Sequence, residues 1–182
     1  MQTLAEQYRD MHSRGVFRGT TWKRHSDAFM DALHNVSRDS LTIVDWGCGP
    51  LGGLKELVDK KLMTDRVISY DPYVPQYSEK PDSDTKIDVI FSSDVLEHMD
   101  QDALDEFLEM IWLRPSIQLL FLVISTRAAD KLLPDGRNAH LTVMSDVDWR
   151  CYLSSCLPTY VVESHQYSKE YEDVVLVFKK AL

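Results

Sequence analysis

Apolar positions along the chain follow two rhythms. Short, nearly unbroken apolar runs lie at 40–45 (SLTIVD), 66–71 (RVISYD), 87–93 (IDVIFSS) and 118–125 (QLLFLVIS). Runs of that length, bounded by polar or glycine-rich stretches, predict strands buried on both faces. Between them the spacing turns helical. Trp22, Phe29, Leu33 and Val36 mark a helix over 21–38, and Leu54, Leu57, Val58 and Leu62 mark one over 51–62. Leu104, Phe107, Leu108, Ile111 and Trp112 give the cleanest helical stripe in the chain. At the end, two β-rich runs, 160–167 and 173–179, flank a short polar turn and predict a hairpin.

Strands alternating with helices, then a hairpin, imply an α/β domain with a mostly parallel sheet and an antiparallel C-terminal edge. One stretch breaks the alternation. Only 15 residues separate Asp71 from Ile87, and three of them are proline (Pro72, Pro75, Pro81). A crossover with its own helix takes about 10–12 residues, so the third strand–helix unit is expected to be shortened or missing. Ligands of such sheets sit outside the C-terminal strand ends. Here those ends are 45–49, Asp71, Ser93–Asp94 and Ser125–Arg127, and three of the four carry an acid.

The 182 residues suit one domain, 1–182, with 1–38 as an N-terminal helical cap or lid. Net charge is −9, while residues 1–38 carry six basic and four acidic side chains, so the rest of the chain holds −11. An acidic body repels a phosphate backbone, and a nucleic-acid polymer is an unfavourable partner. The basic group Arg14, Arg18, Lys23 and Arg24 reads either as an anion contact or as a solvated helix face. No apolar run reaches the 18 residues that span a bilayer, and residues 1–10 show no secretory pattern. Three cysteines without a CxxC pair argue against a disulfide framework, and a cytoplasmic setting is expected.

The segment Asp45-Trp-Gly47-Cys48-Gly49-Pro-Leu-Gly52-Gly53 follows a strand and opens a helix. Read from Gly47 it satisfies GxGxxG, with Asp71 about 20 residues on, which is a dinucleotide fingerprint. Read from Asp45 it is D-x-G-x-G, and it resembles the first motif of class I S-adenosylmethionine-dependent methyltransferases. Charge separates the two. An ionised Asp45 opposes a pyrophosphate by about 1–4 kcal/mol at ~4 Å, whereas S-adenosylmethionine brings an ammonium and a sulfonium. Asp71 serves either ligand as acceptor for a ribose diol.

Further along, Ser93-Asp94-Val95-Leu96-Glu97-His98 resembles the "vLEH" signature of methyltransferases acting on small molecules. Leu133-Pro-Asp-Gly-Arg-Asn-Ala-His140, with Trp149, Met11-His12 and Phe17-Arg-Gly19, is similar to a little-characterised bacterial and phage group. The resemblance covers roughly 40–125 and 159–180. It implies a Rossmann-like methyltransferase sheet and S-adenosylmethionine held by Asp45, Gly47, Cys48, Gly49, Asp71 and Pro72, with Asp94 and Val95 walling the adenine or sulfonium. It also implies a small-molecule or metabolite acceptor beneath the 127–149 loop. Leu51 stands where that family has its third glycine. An NAD(P)-dependent oxidoreductase and a non-catalytic donor-binding scaffold are the alternatives.

An OH or NH acceptor needs a base. His140 and His98 are candidates near strand ends; His140 reads equally as a loop histidine bonded to backbone, and His98 as one that caps or packs at the start of the following helix, with Glu97 solvated beside it. Asp94 either accepts from an amine or caps the helix starting near Asp100. Asp94-Val-Leu-Glu is not the Asn/Asp-Pro-Pro-Tyr tetrad of base amino-methyltransferases, and no Pro-Cys nucleophile is present. Cys48 reads as a small residue in a tight turn and Cys156 as core. No metal is expected, since His12, His25, His34, His98, His140 and His165 show no HxxxH or HExxH spacing. Tyr8, His12, Phe17 and Trp22 would form either a lid over the donor or a helix packed on the sheet edge.

Overall fold

A computed structural model describes residues 2–17, 19–36, 40–55 and 66–181. Six strands are present among them: β1 Thr42–Trp46, β2 Arg66–Tyr70, β3 Val89–Ser93, β4 Leu119–Ser125, β5 Tyr160–Ser168 and β6 Asp173–Lys180. They form one sheet in the order β2-β1-β3-β4-β6-β5. The first four strands are parallel, and β6 runs antiparallel to both β4 and β5. This is the expected α/β sheet with its reversed edge. Between β2 and β3 the chain makes only a 3-10 turn at Pro75–Tyr77, so no strand–helix unit occupies the proline-rich stretch.

Strand β4 is buried along its whole length, and its alternate side chains feed two cores. On one face Leu120, Leu122 and Ile124 meet α3 (Gln101–Trp112) and α4 (Asp146–Cys156). On the other, Leu119, Phe121 and Val123 meet α2 (Ser26–His34). Phe29 of α2 stacks edge-on to Phe91 and Phe121, at 4.7 and 5.2 Å between ring centroids. The helix expected over 21–38 is divided: Thr21–His25 is 3-10 and only Ser26–His34 is α-helical. The helix expected over 51–62 is described only at 53–55, where Leu54 is fully buried; Leu57, Val58 and Leu62 lie outside the described residues, as does Arg18.

Helix α3 starts at Asp100, whose carboxylate accepts the Ala103 N–H. Its predicted stripe is buried except for Trp112, which is half exposed with its indole N–H donating to the Cys156 carbonyl. Cys156 only borders that core.

Helix α1 (Leu4–Ser13) packs on neither sheet face. A Thr3–Glu6 capping box starts it, and Tyr8 and Met11 pack against Leu133 and Ala139 of the β4–α4 loop. Buried Gln7 donates to Asp135 Oδ2 at 2.8 Å and accepts the Asp135 N–H at 3.0 Å. The N-terminal segment is therefore fastened to the loop above the strand ends rather than to the sheet edge. No described helix is long and apolar enough to cross a membrane.

The Phe29 contact should dominate the second core. Phe29→Ala removes a fully buried ring from between two others, and a loss of ~3–5 kcal/mol is expected in denaturant unfolding. A loss below ~1 kcal/mol would show that α2 does not anchor that face.

Candidate functional site

All four parallel strands end on one rim, and the cavity above it measures about 550 Å³, the size of a small-molecule pocket. At the β1 end the chain turns through Gly47 (φ 76°) and Gly49 (φ 65°), backbone states that side chains rarely adopt. A Cβ on Gly47 would also collide with the Val95 methyls, and one on Gly49 would lie 3.2 Å from the Gly19 Cα. Val95 thus seats against the glycine loop from one side. The N-terminal strap crosses it from the other.

The loop's own donors are already engaged. Gly47 N–H and Cys48 N–H both donate to the Tyr70 carbonyl, at 2.8 and 3.1 Å, and Gly49 N–H donates to Asp71 Oδ2 at 3.0 Å. A pyrophosphate on a glycine loop needs such amides free, and these three are not. Asp71, buried, takes its other bond from Tyr73 N–H at 2.9 Å on Oδ1. Each oxygen keeps a lone pair for a ligand hydroxyl.

Asp45 lies behind the loop, buried, and its carboxyl is pushed up to about 7. Burial is the main cause and the neighbouring Asp71 charge the next; a bond from Leu54 N–H works the other way. Asp45 is therefore not plainly ionised, as its charge alone would suggest. Near neutrality it is poised instead, so a cationic ligand would complete its ionisation and an anionic one would drive its protonation. Cys48 is buried in the turn, its thiol raised by burial and by Asp45, so it is a filler and not a nucleophile. Pro72 lines the same end of the cavity.

The second half of the cavity is built from the β3 and β4 ends. Asp94 holds a left-handed backbone (φ 54°) that aims its side chain toward Arg24, 3.6 Å away. It does not cap α3; Asp100 does. Arg24 lies on the Tyr171 ring at 4.4 Å and 3.7 Å from buried Asp173, whose carboxylate also meets His25 at 3.2 Å. Among the described residues of the basic group, Arg24 turns to the cavity, while Arg14 pairs outward with Asp10.

Glu97 overturns its expected solvation: it is completely buried. Its Oε1 accepts the Ser125 N–H at 3.1 Å, while Oε2 is sealed and meets no partner. Burial first, then the Asp94 charge, raises this carboxyl well above the usual range.

His98 and His140 meet edge to face at 4.7 Å. Nδ1 of His98 lies 2.7 Å from the Ala139 carbonyl and Nδ1 of His140 lies 2.6 Å from the Arg127 carbonyl. Carbonyls only accept, so both Nδ1 atoms carry the proton and both Nε2 atoms keep a lone pair. Burial lowers both imidazoles, His98 to about 3 with the His140 charge as second cause, which keeps the pair neutral at physiological pH. Asn138 positions the loop: its Oδ1 accepts from Ala129 N–H and His140 N–H, both at 2.9 Å. Tyr8 Oη, 2.8 Å from the Ala139 carbonyl and 3.0 Å from that of His98, ties α1 to the same turn.

The expectation of no metal rested on histidine spacing, and spacing does not decide it. Ligand atoms of Glu97, His98 and His140 all lie within 4.8 Å of one another. One carboxylate and two neutral imidazoles, each ring oriented by a carbonyl on its other nitrogen, fit a divalent cation. Sequence reasoning missed Glu97 because its polarity suggested solvent. The only available signal was its place beside His98 at a strand end.

No protein-family model matches the chain, and no curated protein matches it. Solved structures do. The small RNA methyltransferase HEN1 matches at TM-score 0.63 and 16% identity, over 91% of this chain and 26% of that one, so this chain spans about a quarter of it. The methyltransferase domain of a bacterial Hen1 matches at 0.61 and 15%, over 88% of this chain and all of that one. CalO1, a methyltransferase of calicheamicin biosynthesis solved with S-adenosylhomocysteine bound, matches at 0.51 and 10%, over 99% and 69%. At these identities the likeness concerns the fold: this chain has the mixed α/β fold of S-adenosylmethionine-dependent methyltransferases.

Proposed function

We propose that the chain transfers the methyl group of S-adenosylmethionine to a hydroxyl or amine of a small-molecule or metabolite acceptor. The observation that carries this reading is a single cavity with two chemically distinct halves. One half has Asp45, Asp71 and a glycine loop whose Gly47, Cys48 and Gly49 amides are spent. The other has two neutral imidazoles with free Nε2 lone pairs. An acid pocket whose Gly47, Cys48 and Gly49 amides are already engaged suits an ammonium and a sulfonium better than a pyrophosphate, which supports the methyl donor over NAD(P). CalO1, with S-adenosylhomocysteine bound on the same fold, supports the same donor.

Asp45 and the loop backbone at Gly47, Cys48 and Gly49 would hold the amino-acid end. Asp71 would take the ribose, with Pro72, Val95 and Asp94 walling the rest. The acceptor would enter beneath the 127–149 loop, beside Arg24. Its oxygen or nitrogen attacks the methyl carbon in line, the carbon–sulfur bond breaks, and sulfur keeps the electron pair as the thioether. Holding both reactants in one cavity supplies much of the acceleration. The acceptor proton passes to His140 Nε2. His98, at about 3, is too weak a base to take it and serves to orient its neighbour.

The Glu97–His98–His140 donor set offers a variant of the same reaction. A divalent cation there would acidify an acceptor hydroxyl, and the imidazoles would then hold the ion rather than take the proton. HEN1 acts on small RNA, but a net charge of −9 disfavours a long phosphate backbone here. A metabolite acceptor fits better.

Titration calorimetry of the full chain is expected to show micromolar binding of S-adenosylhomocysteine and none of NADH; binding of NADH alone would overturn the donor reading. Donor binding without methyl transfer to any acceptor pool, with or without divalent ions, would leave a scaffold. If the cation variant operates, Mn²⁺ or Co²⁺ raises the melting temperature of the wild type and not of Glu97→Gln. An unchanged wild type would return the proton to His140 alone.

Asp45 links pH to both binding and stability. Its folded pKa lies above the unfolded value, so ionisation costs stability progressively from about pH 4 to 7 and in full above 7. Asp45→Asn should therefore raise the melting temperature of the free protein by ~2–8 °C at pH 8 and leave it unchanged near pH 4. The same variant should lose at least ~10-fold in S-adenosylhomocysteine affinity. Wild-type affinity should fall as pH drops below about 7, and the variant's should stay flat. Equal affinity of both proteins at pH 8 would remove Asp45 from the donor site.

A further inference from the structure

His12 is a half-buried imidazole with no part in the methyl transfer proposed for the chain. It stands on α1, where the helix crosses the cavity, and lines the same space as Asp71. Phe17 and Tyr73 flank its ring at 5.0 and 6.4 Å between centroids, which holds its plane. Nδ1 is sealed from solvent and meets no partner. Nε2 is not sealed, and no described residue bonds to it.

The chemistry of the two nitrogens fixes the tautomer. A sealed N–H without an acceptor is costlier and rarer than a sealed lone pair, so the proton belongs on Nε2, the nitrogen open to the cavity. Burial keeps the ring neutral against the opposing pull of Asp71, whose charge reaches it. His12 is therefore a neutral donor facing the cavity near an acid that only accepts.

A vicinal diol in that space needs both kinds of partner. Each hydroxyl has one proton to give and lone pairs to satisfy. Asp71 can take the protons, yet the amides nearest it, of Gly49 and Tyr73, already point at its own oxygens. Donors for the diol oxygens must come from elsewhere, and α1 brings one. We infer that His12 Nε2–H donates to a ribose hydroxyl of the methyl donor whose proton Asp71 accepts, so that the N-terminal helix completes the ribose site. The inference rests on the donor reading above and extends it to a residue outside the sheet.

The test is calorimetry on the full chain with S-adenosylhomocysteine and with its 2′-deoxy and 3′-deoxy analogues, for wild type, His12→Phe and His12→Gln. His12→Phe is expected to weaken S-adenosylhomocysteine by about 5–20-fold, the worth of one hydrogen bond in a closed site. His12→Gln, which keeps an N–H donor, should recover most of that loss and also guards against a folding defect in the phenylalanine variant. For the analogue lacking the hydroxyl that His12 reads, His12→Phe should change affinity by less than ~2-fold. Equal weakening of all three ligands would make the ring mere packing and overturn the inference, as would no weakening of any. Failure of the wild type to bind S-adenosylhomocysteine would instead sink the donor reading on which it stands.

Discussion

The Tyr70 carbonyl accepts the N–H groups of both Gly47 and Cys48, and the geometry of the cavity floor depends on that brace. It ties the last residue of β2 to the turn that follows β1. With the turn fixed, Gly49 N–H reaches Asp71, and Asp71 is drawn close enough to Asp45 for the two carboxyls to feel each other. The positive φ at Gly47 and Gly49 is what lets the amides point back toward β2. Spending those amides internally removes the ready anion site that a glycine loop otherwise offers, and it leaves the floor acidic.

That floor is held against its own stability. Asp45 and Glu97 are both buried carboxyls raised by burial and by a neighbouring acid. Glu97 has one oxygen with no partner at all. Unpaired buried polar groups of this kind cost about 1–3 kcal/mol each, which the two aromatic and aliphatic cores beneath must offset. Their concentration at the strand ends, with strained Asp94 between them, marks the rim as the place where the chain gives up stability for chemistry.

The N-terminal segment gives the cavity its roof. Its attachments run to the β4–α4 loop, through Gln7 and Tyr8, and to the glycine loop, where Gly19 lies on Gly49. Both anchor points are also the places that carry candidate chemistry, since the Ala139 carbonyl that Tyr8 touches is the one that orients His98. A shift of α1 would therefore be felt at the imidazole pair and at the glycine loop together.

The amino-acid sequence by itself determined the sheet and the glycine-loop half of the cavity rim. Apolar runs such as 119–125 have no other way to hide both faces, and the glycines and Asp71 are tied to strand ends by short local spacing. The missing unit was legible too, because 15 proline-rich residues cannot hold one. What the pattern could not carry was every meeting made by a long loop folding back. Glu97 is polar yet sealed, His98 and His140 are distant in the chain yet in ring contact, and Trp112 fits the helical stripe yet turns outward. Helical and strand periodicity report only which face of an element is buried. Which side chains of the rim face one another was decided by the tertiary path of 126–145, pinned by Asn138, and by α1 closing over it.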